Sequence, residues 1–297
     1  MASVDVTRVA GNIGALNALN SLNYVNGELA LHQTRLATGK RINYAYEDPA
    51  GLNLATTFDV RRQGLQVALN SIGDSKNMLA TAEGGLRKIQ DILVKMKNKA
   101  MEAIGDTIGQ SERDAVAAQL LDYAAEINNI ADQTQWNATR LISGSGASGY
   151  GTGVSQLSFL VDSSGGSVGF SFTNDSNGGF GLTGLGLTTG SSGTGAVARV
   201  ASGGSVAYTV AQEIDTALAR VKQGVREVGS FMARLTFKED SLTVQYTNTE
   251  AAYNRIMNAN MAEEQVNASK YAILQQTATA MLSQANVAPQ FILSLFR

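Results

Sequence analysis

Side chains able to do chemistry are sparse in this chain. His32 is the single histidine among 297 residues, and there is no cysteine. A His-Glu-x-x-His zinc site needs two histidines on one helix face, so none can be built. A Ser-His-Asp triad would have to use His32. That residue sits among apolar positions at helical spacing, Val25, Leu29 and Leu36, which gives it a structural role. Without a thiol there is no disulfide, no thiolate metal site and no Cys nucleophile. No Gly-rich loop ending in Lys-Ser or Lys-Thr is available to cradle phosphate. Asp74 with Glu83, and Glu263 with Glu264, read as solvated helix charges, as do the basic clusters Arg87-Lys88 and Lys95-Met96-Lys97. The net charge of −2 suggests no nucleic-acid partner. The residues therefore offer no catalytic, cofactor or metal site.

What the spacing does specify is helix packing. Phe58, Leu65, Ile72, Leu79, Leu86, Leu93 and Ala100 recur at every seventh position. A second column reads Ala68, Ser75, Ala82, Ile89, Met96 and Ala103. A strict seven-residue repeat of this kind is the seam of a left-handed coiled coil. At 1.5 Å per residue, 58–100 predicts a rod of roughly 65 Å. Arg61, Arg62, Lys76, Arg87 and Lys95 interrupt it, so a membrane span is excluded there, and no other apolar run is long enough. Gly64, Gly73, Gly84 and Gly85 each cost about 1 kcal/mol in a helix, which packing must offset.

Residues 3–38 predict a first helix, with Ala18, Leu22, Val25, Leu29, His32 and Leu36 on one stripe. Five Asn residues between 12 and 26 dilute it, so the helix needs partners. Gly39 reads as its C-cap. Asp48 reads as the N-cap of the long seam helix, with Pro49 at its first position. After a break between Gly105 and Gly109, a third helix runs from Ser111 to Gln133 with Val116, Leu120, Tyr123, Ile127 and Ile130 inward. Of 31 Gly, 18 then fall between 144 and 204. Two short alternating stretches, 157–161 and 168–172, predict a β-hairpin in that region. Helix resumes near Ser205, where Ile214, Leu218, Val221, Val225, Val228, Met232 and Leu235 form the partner seam for 58–100. Antiparallel pairing follows if the Gly-rich region is the tip. A final helix is expected over 249–286, ended by Pro289 and followed by an apolar tail. Its stripe is Met257, Met261, Ala268, Tyr271, Ala278, Leu282 and Ala285, with Glu264 and Gln275 as polar interruptions. The fold class is mainly α: a long antiparallel coiled-coil rod with a short hairpin-containing centre. A terminal helix with no home in its own chain points to self-assembly.

Several separated motifs resemble those of one family. Leu36 to Asn43 (LATGKRIN), followed by Glu47 to Gly51 (EDPAG), resembles the N-terminal signature of bacterial flagellins. Gln133 to Asn137 (QTQWN) is similar to their Gln-Thr-Gln-Phe-Asn turn, with Trp for Phe. Ala272 to Gln276, Ser283 to Asn286 and Leu293 to Arg297 resemble the C-terminal signature. The resemblance covers 1–142 and about 207–297, and the Gly-rich middle matches nothing particular.

The resemblance implies a filament subunit without enzymatic activity or cofactor. Residues 1–44 and 256–297 would form the helical filament core. Residues 45–142 and 206–255 would form the coiled-coil shell, and 143–205 a short, variable, surface-exposed hairpin and loop region. It further implies other copies as partners, an extracellular location, and export by the flagellar type III apparatus without a cleaved signal. A flagellin chaperone would hold the tail, Phe291, Ile292, Leu293, Leu295 and Phe296, and filament cap and hook-associated proteins would meet the ends. The alternatives are a hook–filament junction protein and a flagellin carrying an enzymatic insert; the short middle argues against the latter. Ser and Thr of the middle are expected O-glycan sites. Asn137, Asn174 and Asn267 fit an N-glycosylation pattern too common to carry weight. Flagellins that activate the Toll-like flagellin receptor carry Arg, Leu and Glu where motif matching places Lys95, Lys99 and Gln119, which implies weak or absent activation.

Overall fold

The computed structural model describes residues 12–105, 107–137, 139–142, 157–162, 164–172, 179–187 and 199–295, with side chains to 287 except at 183. Five long helices dominate. They are α1 (Ile13–Thr38), α2 (Pro49–Glu102), α3 (Gln110–Gln133), α5 (Gly204–Met257) and α6 (Met261–Leu295). Between them lie hairpins β1–β2 (Gln135–Trp136, Thr139–Arg140) and β3–β4 (Leu157–Leu160, Ser167–Phe170), a single helical turn α4 (Leu182–Leu185) and a 3-10 turn (Arg199–Ser202). The expected mainly-α class holds.

Local chemistry sets the boundaries. Asn12 Oδ1 accepts from the Ala15 amide at 3.0 Å and starts α1. Gly39 ends it at φ 70°, its N–H donating to the Arg35 carbonyl at 2.8 Å. Asp48 Oδ1 accepts from the Gly51 amide at 2.8 Å, so Pro49 opens α2 as anticipated. Two expectations need correction. The chain is helical from Gly204 to Met257, breaks at 258–260, and restarts at Met261, so no helix runs 249–286. Nor does Pro289 end the last helix, which continues to Leu295. Proline removes the N–H that would bond the carbonyl four residues back, which here is Ala285. Asn12 supplies the missing donor, its Nδ2 reaching the Ala285 carbonyl at 2.8 Å.

Contacts divide the chain into a middle unit, 63–246, and a terminal unit made of 1–62 and 247–297. In the middle unit, every predicted seam residue from Leu65 to Ala100 on α2, and Ala103 just past its end, is buried. So are Val116, Leu120 and Ile127 of α3 and Ile214, Val221, Val228 and Leu235 of α5, in one continuous core. Burying a Leu, Ile or Val side chain contributes about 1.5–3 kcal/mol. Ion pairs Lys76–Glu239 (2.8 Å) and Lys97–Asp215 (2.7 Å) fix the antiparallel register of α2 and α5.

Two helix glycines are explained by close approach. A Cβ on Gly224 would lie 2.5 Å from Phe180, and one on Gly85 would strike Thr134 and Ile142.

The hairpin predicted at 157–172 is present and antiparallel, Leu157 facing Phe170 and Leu160 facing Ser167. The Gly-rich stretch is not all solvent-facing, however. Phe159, Val161, Phe170, Phe172, Phe180, Leu182, Leu185, Leu187 and Val200 are buried. Phe170 and Phe159 pack on Phe231 of α5 at 4.9 and 5.6 Å between ring centres, and Phe172 meets Phe180 edge-on. The sparse apolar residues of a Gly-rich sequence thus join the core, because aromatic rings bury large area individually.

Candidate assembly surface

In the terminal unit α1 and α6 lie antiparallel. Asn12 meets Ala285, Asn26 accepts from Gln275 Nε2 at 2.8 Å, and His32 meets Glu264. The predicted stripes face each other: Val25 and His32 of α1 and Ala268 of α6 are buried, and Leu22, Leu29, Tyr271 and Leu282 half-buried. The terminal helices therefore do find a home in their own chain, on one face each. The polar interruptions are mutual partners. His32 Nδ1 bonds Glu264 and the ring stacks on Tyr271 at 5.3 Å and 20°. Arg35 adds its guanidinium, 3.6 Å from both Glu264 and Glu47. His32 packs within the helix pair as expected, but Glu264, read from the sequence as a solvated charge, is buried, which it tolerates because it is paired.

The turn after α1 clasps the end of α5. The Arg41 amide donates to the Met257 carbonyl at 2.6 Å, and the Ala259 amide to the Gly39 carbonyl at 3.0 Å. Ile42, Ala55 and Met257 make a small satellite core beside it. Arg62 bridges Glu250 (2.9 Å) and Asp59 (2.7 Å), which raise its pKa further, and lies over the Tyr253 ring.

Beyond those contacts the terminal unit is poorly covered. Among the described residues it buries five apolar side chains, Val25, Ile42, Ala55, Met257 and Ala268, and exposes fourteen large ones. Leu16 (57% exposed) and Ile13 face outward on α1, Val266 (68%), Ile273 (64%) and Met281 (62%) on α6, and the stacked pair Tyr44–Tyr46 on the turn. Apolar exposure on this scale in one unit points to an interaction surface. The tail residues Phe291, Ile292, Leu293 and Leu295 stand in the last turns of α6; their side chains, and Phe296 entirely, lie outside the described residues.

The receptor-contact positions fall elsewhere. Lys95 is exposed on α2 and Gln119 on α3. Lys99, one turn from Lys95, donates to Glu102 at 2.8 Å, which raises the Lys99 pKa. Among the described residues no cluster of His, Asp or Glu could hold a metal, and no helix is long and apolar enough to cross a membrane. What sequence reasoning missed is the α1–α6 pairing itself, whose signal was the matching of polar residues on two stripes: Asn26 with Gln275, His32 with Glu264.

Comparison with known proteins agrees with this geometry. Residues 9–147 match the bacterial flagellin N-terminal helical region, and 211–296 match the bacterial flagellin C-terminal helical region. The flagellin of Listeria monocytogenes is 30% identical over 291 residues, covering 97% of this chain and 99% of its own. The flagellar filament 41 kDa core protein of Borreliella burgdorferi is 28% identical over 331 residues, covering 96% and 98%. A candidate flagellar hook-associated protein of Vibrio parahaemolyticus superposes with a TM-score of 0.57 over 71% of this chain and 100% of its own; at 13% identity that likeness is one of fold alone. With both terminal helical regions matched and a relative at 30% identity aligned along nearly its whole length, the chain belongs to the bacterial flagellin family.

Proposed function

We infer that this chain is a structural subunit that polymerises into the bacterial flagellar filament and that it is not an enzyme. The observation that carries the reading is the uncovered apolar surface of the terminal unit, whereas the middle unit closes its seams within one chain. Copies of the same terminal unit are the natural cover. In this reading residues 1–44 and 256–297 are the filament core, 45–142 and 206–255 the shell, and 143–205 the outward region. Export through the flagellar type III apparatus, a chaperone on the apolar tail, contact with cap and hook-associated proteins, and an extracellular location follow from the family. A hook–filament junction protein would share the terminal architecture but would not grow filaments.

The test is electron microscopy of the purified chain. Long filaments are expected from the full chain. Variants lacking 1–38 or 257–297 are expected to remain helical monomers. Normal filaments from either truncation would overturn the reading.

Lys95, Lys99 and Gln119 support weak activation of the Toll-like flagellin receptor. Lys at an apolar contact carries a charge that is costly to desolvate, and Gln lacks the charge a basic partner would pair. A receptor reporter should respond weakly, and the triple variant Lys95→Arg, Lys99→Leu, Gln119→Glu should raise the response. A full response to the unaltered chain would refute this.

A further inference from the structure

We propose that successive copies in the polymer meet through a heterologous contact in the middle unit: the acidic face of α3 in one copy, with Trp136 at its end, docks on the basic face of α5 in the next. This rests on the polymerisation inferred above and adds the surfaces that propagate it.

The receiving face is Lys222, Arg226, Ser230, Arg234 and Phe237, spaced by four, four, four and three residues and all exposed. None of its cations makes an ion pair among the described residues. Phe237 is 74% exposed, unusual for Phe in a unit that buries its other described phenylalanines. Beside it opens a groove of about 340 Å³, formed by Val161 and Val168 of the β3–β4 hairpin and Phe231 and Leu235 of α5, with Phe237 and Lys238 at its mouth. Arg234 also lines the groove, its guanidinium over the Phe231 ring at 5.4 Å, and an apolar groove with cations that lack a carboxylate fits an acidic segment with an apolar anchor.

The chain itself carries such a segment. On α3, Gln119, Asp122, Glu126, Asn129 and Gln133 form one exposed stripe. Asp122 and Glu126 have no ion-pair partner among the described residues. The only cation of α3 is Arg113, which turns its guanidinium to the Gly105 carbonyl at 3.1 Å. Three residues past the helix, Trp136 in β1 is 37% exposed. The spacings agree. Asp122 and Glu126 are one turn apart, as are Lys222 and Arg226, about 6 Å in each case. From Glu126 to the end of α3 at Gln133 is about 10 Å along the helix, and from Arg226 to Leu235 on the groove about 13 Å. A parallel alignment therefore sets both charge pairs opposite each other and brings the indole to the groove. The two faces are different patches of one molecule, and such heterologous contacts extend without closing, as a filament requires.

The experiment uses the full chain and two double variants, Asp122→Lys/Glu126→Lys and Lys222→Glu/Arg226→Glu, with helicity checked by circular dichroism. Each variant alone should need at least tenfold more protein to polymerise. Mixed in equal amounts they should polymerise near the parent's concentration, because each reversed face then meets its opposite on the other variant. Trp136 is the only tryptophan, so in the parent chain its emission should shift to the blue and its acrylamide quenching fall several-fold on polymerisation. Variants that polymerise like the parent, a mixture that stays monomeric, or an indole equally accessible in monomer and filament would each overturn this contact and leave the filament reading standing. A parent chain that never polymerises would overturn both.

Discussion

The middle and terminal units use the same element, the long amphipathic helix, to opposite ends. In the middle unit the two columns of α2 find cover on α3, α5 and the β3–β4 hairpin, leaving a core of thirty-nine buried apolar residues and seven exposed large ones among those described. In the terminal unit α1 and α6 share one seam, and a pair of helices can bury only one face of each. Its polar matches, Asn12 with Ala285, Asn26 with Gln275 and His32 with Glu264, set register at the expense of apolar cover. The difference teaches that stability and assembly are assigned to different residues: the middle unit closes its own core, and the terminal unit leaves apolar faces for copies to cover.

Core truncation should separate the units most. Leu86→Ala, at a fully buried position, is expected to destabilise the monomer by about 2–5 kcal/mol. Leu22→Ala, half-buried on α1, should cost the monomer far less yet raise the concentration needed for polymerisation. Urea unfolding of both, beside a sedimentation assay, checks this; equal monomer losses would erase the distinction.

Next in size is Glu264→Ala. It leaves His32 without its carboxylate and Arg35 with Glu47 alone, in a site where the lost carboxylate is about 10% exposed, so a loss of about 3 kcal/mol from the terminal pair is expected. Thermal unfolding followed at helices α1 and α6 by site-specific labels would read it, and an unchanged midpoint there would discount the cluster.

A smaller contrast sharpens the middle unit. Gly84→Ala meets no atom within 4 Å and should stabilise by up to about 1 kcal/mol. Gly85→Ala collides with Thr134 and Ile142 and should destabilise. Opposite signs at neighbouring positions would show in denaturant midpoints, whereas like signs would contradict the packing.

The smallest effect is alkaline. Glu28, then Tyr271, raise the pKa of exposed Tyr24 above the ordinary tyrosine range. A raised folded value means its contribution is present below the ordinary phenol pKa and is lost as pH rises through the folded one. Glu28→Gln should lower the Tyr24 titration seen by NMR; an unmoved titration would show that Glu28 is not the cause.

The seam of α2 was legible because heptads are periodic, and periodicity survives without knowledge of the partner. Gly39 and Asp48 were legible because caps are local chemistry. The path of the chain beyond Pro289 was not, because the donor that replaces its N–H comes from Asn12, 273 residues away. Glu264 and Gln275 looked like defects in one stripe until the other stripe supplied His32 and Asn26. Phe180 lay hidden in a Gly-rich stretch because its place depends on the gap that Gly224 leaves in α5.

Hydrogen exchange followed in monomer and in filament tests the central claim most directly, since protection reports the opening free energy of each segment. Amides buried in the middle unit, at 65–100 and 210–235, should be strongly protected in both states. Those of 13–36 and 261–285 should exchange much faster in the monomer and become protected only in the filament. Terminal helices as protected in the monomer as the middle unit, or unchanged on polymerisation, would contradict it.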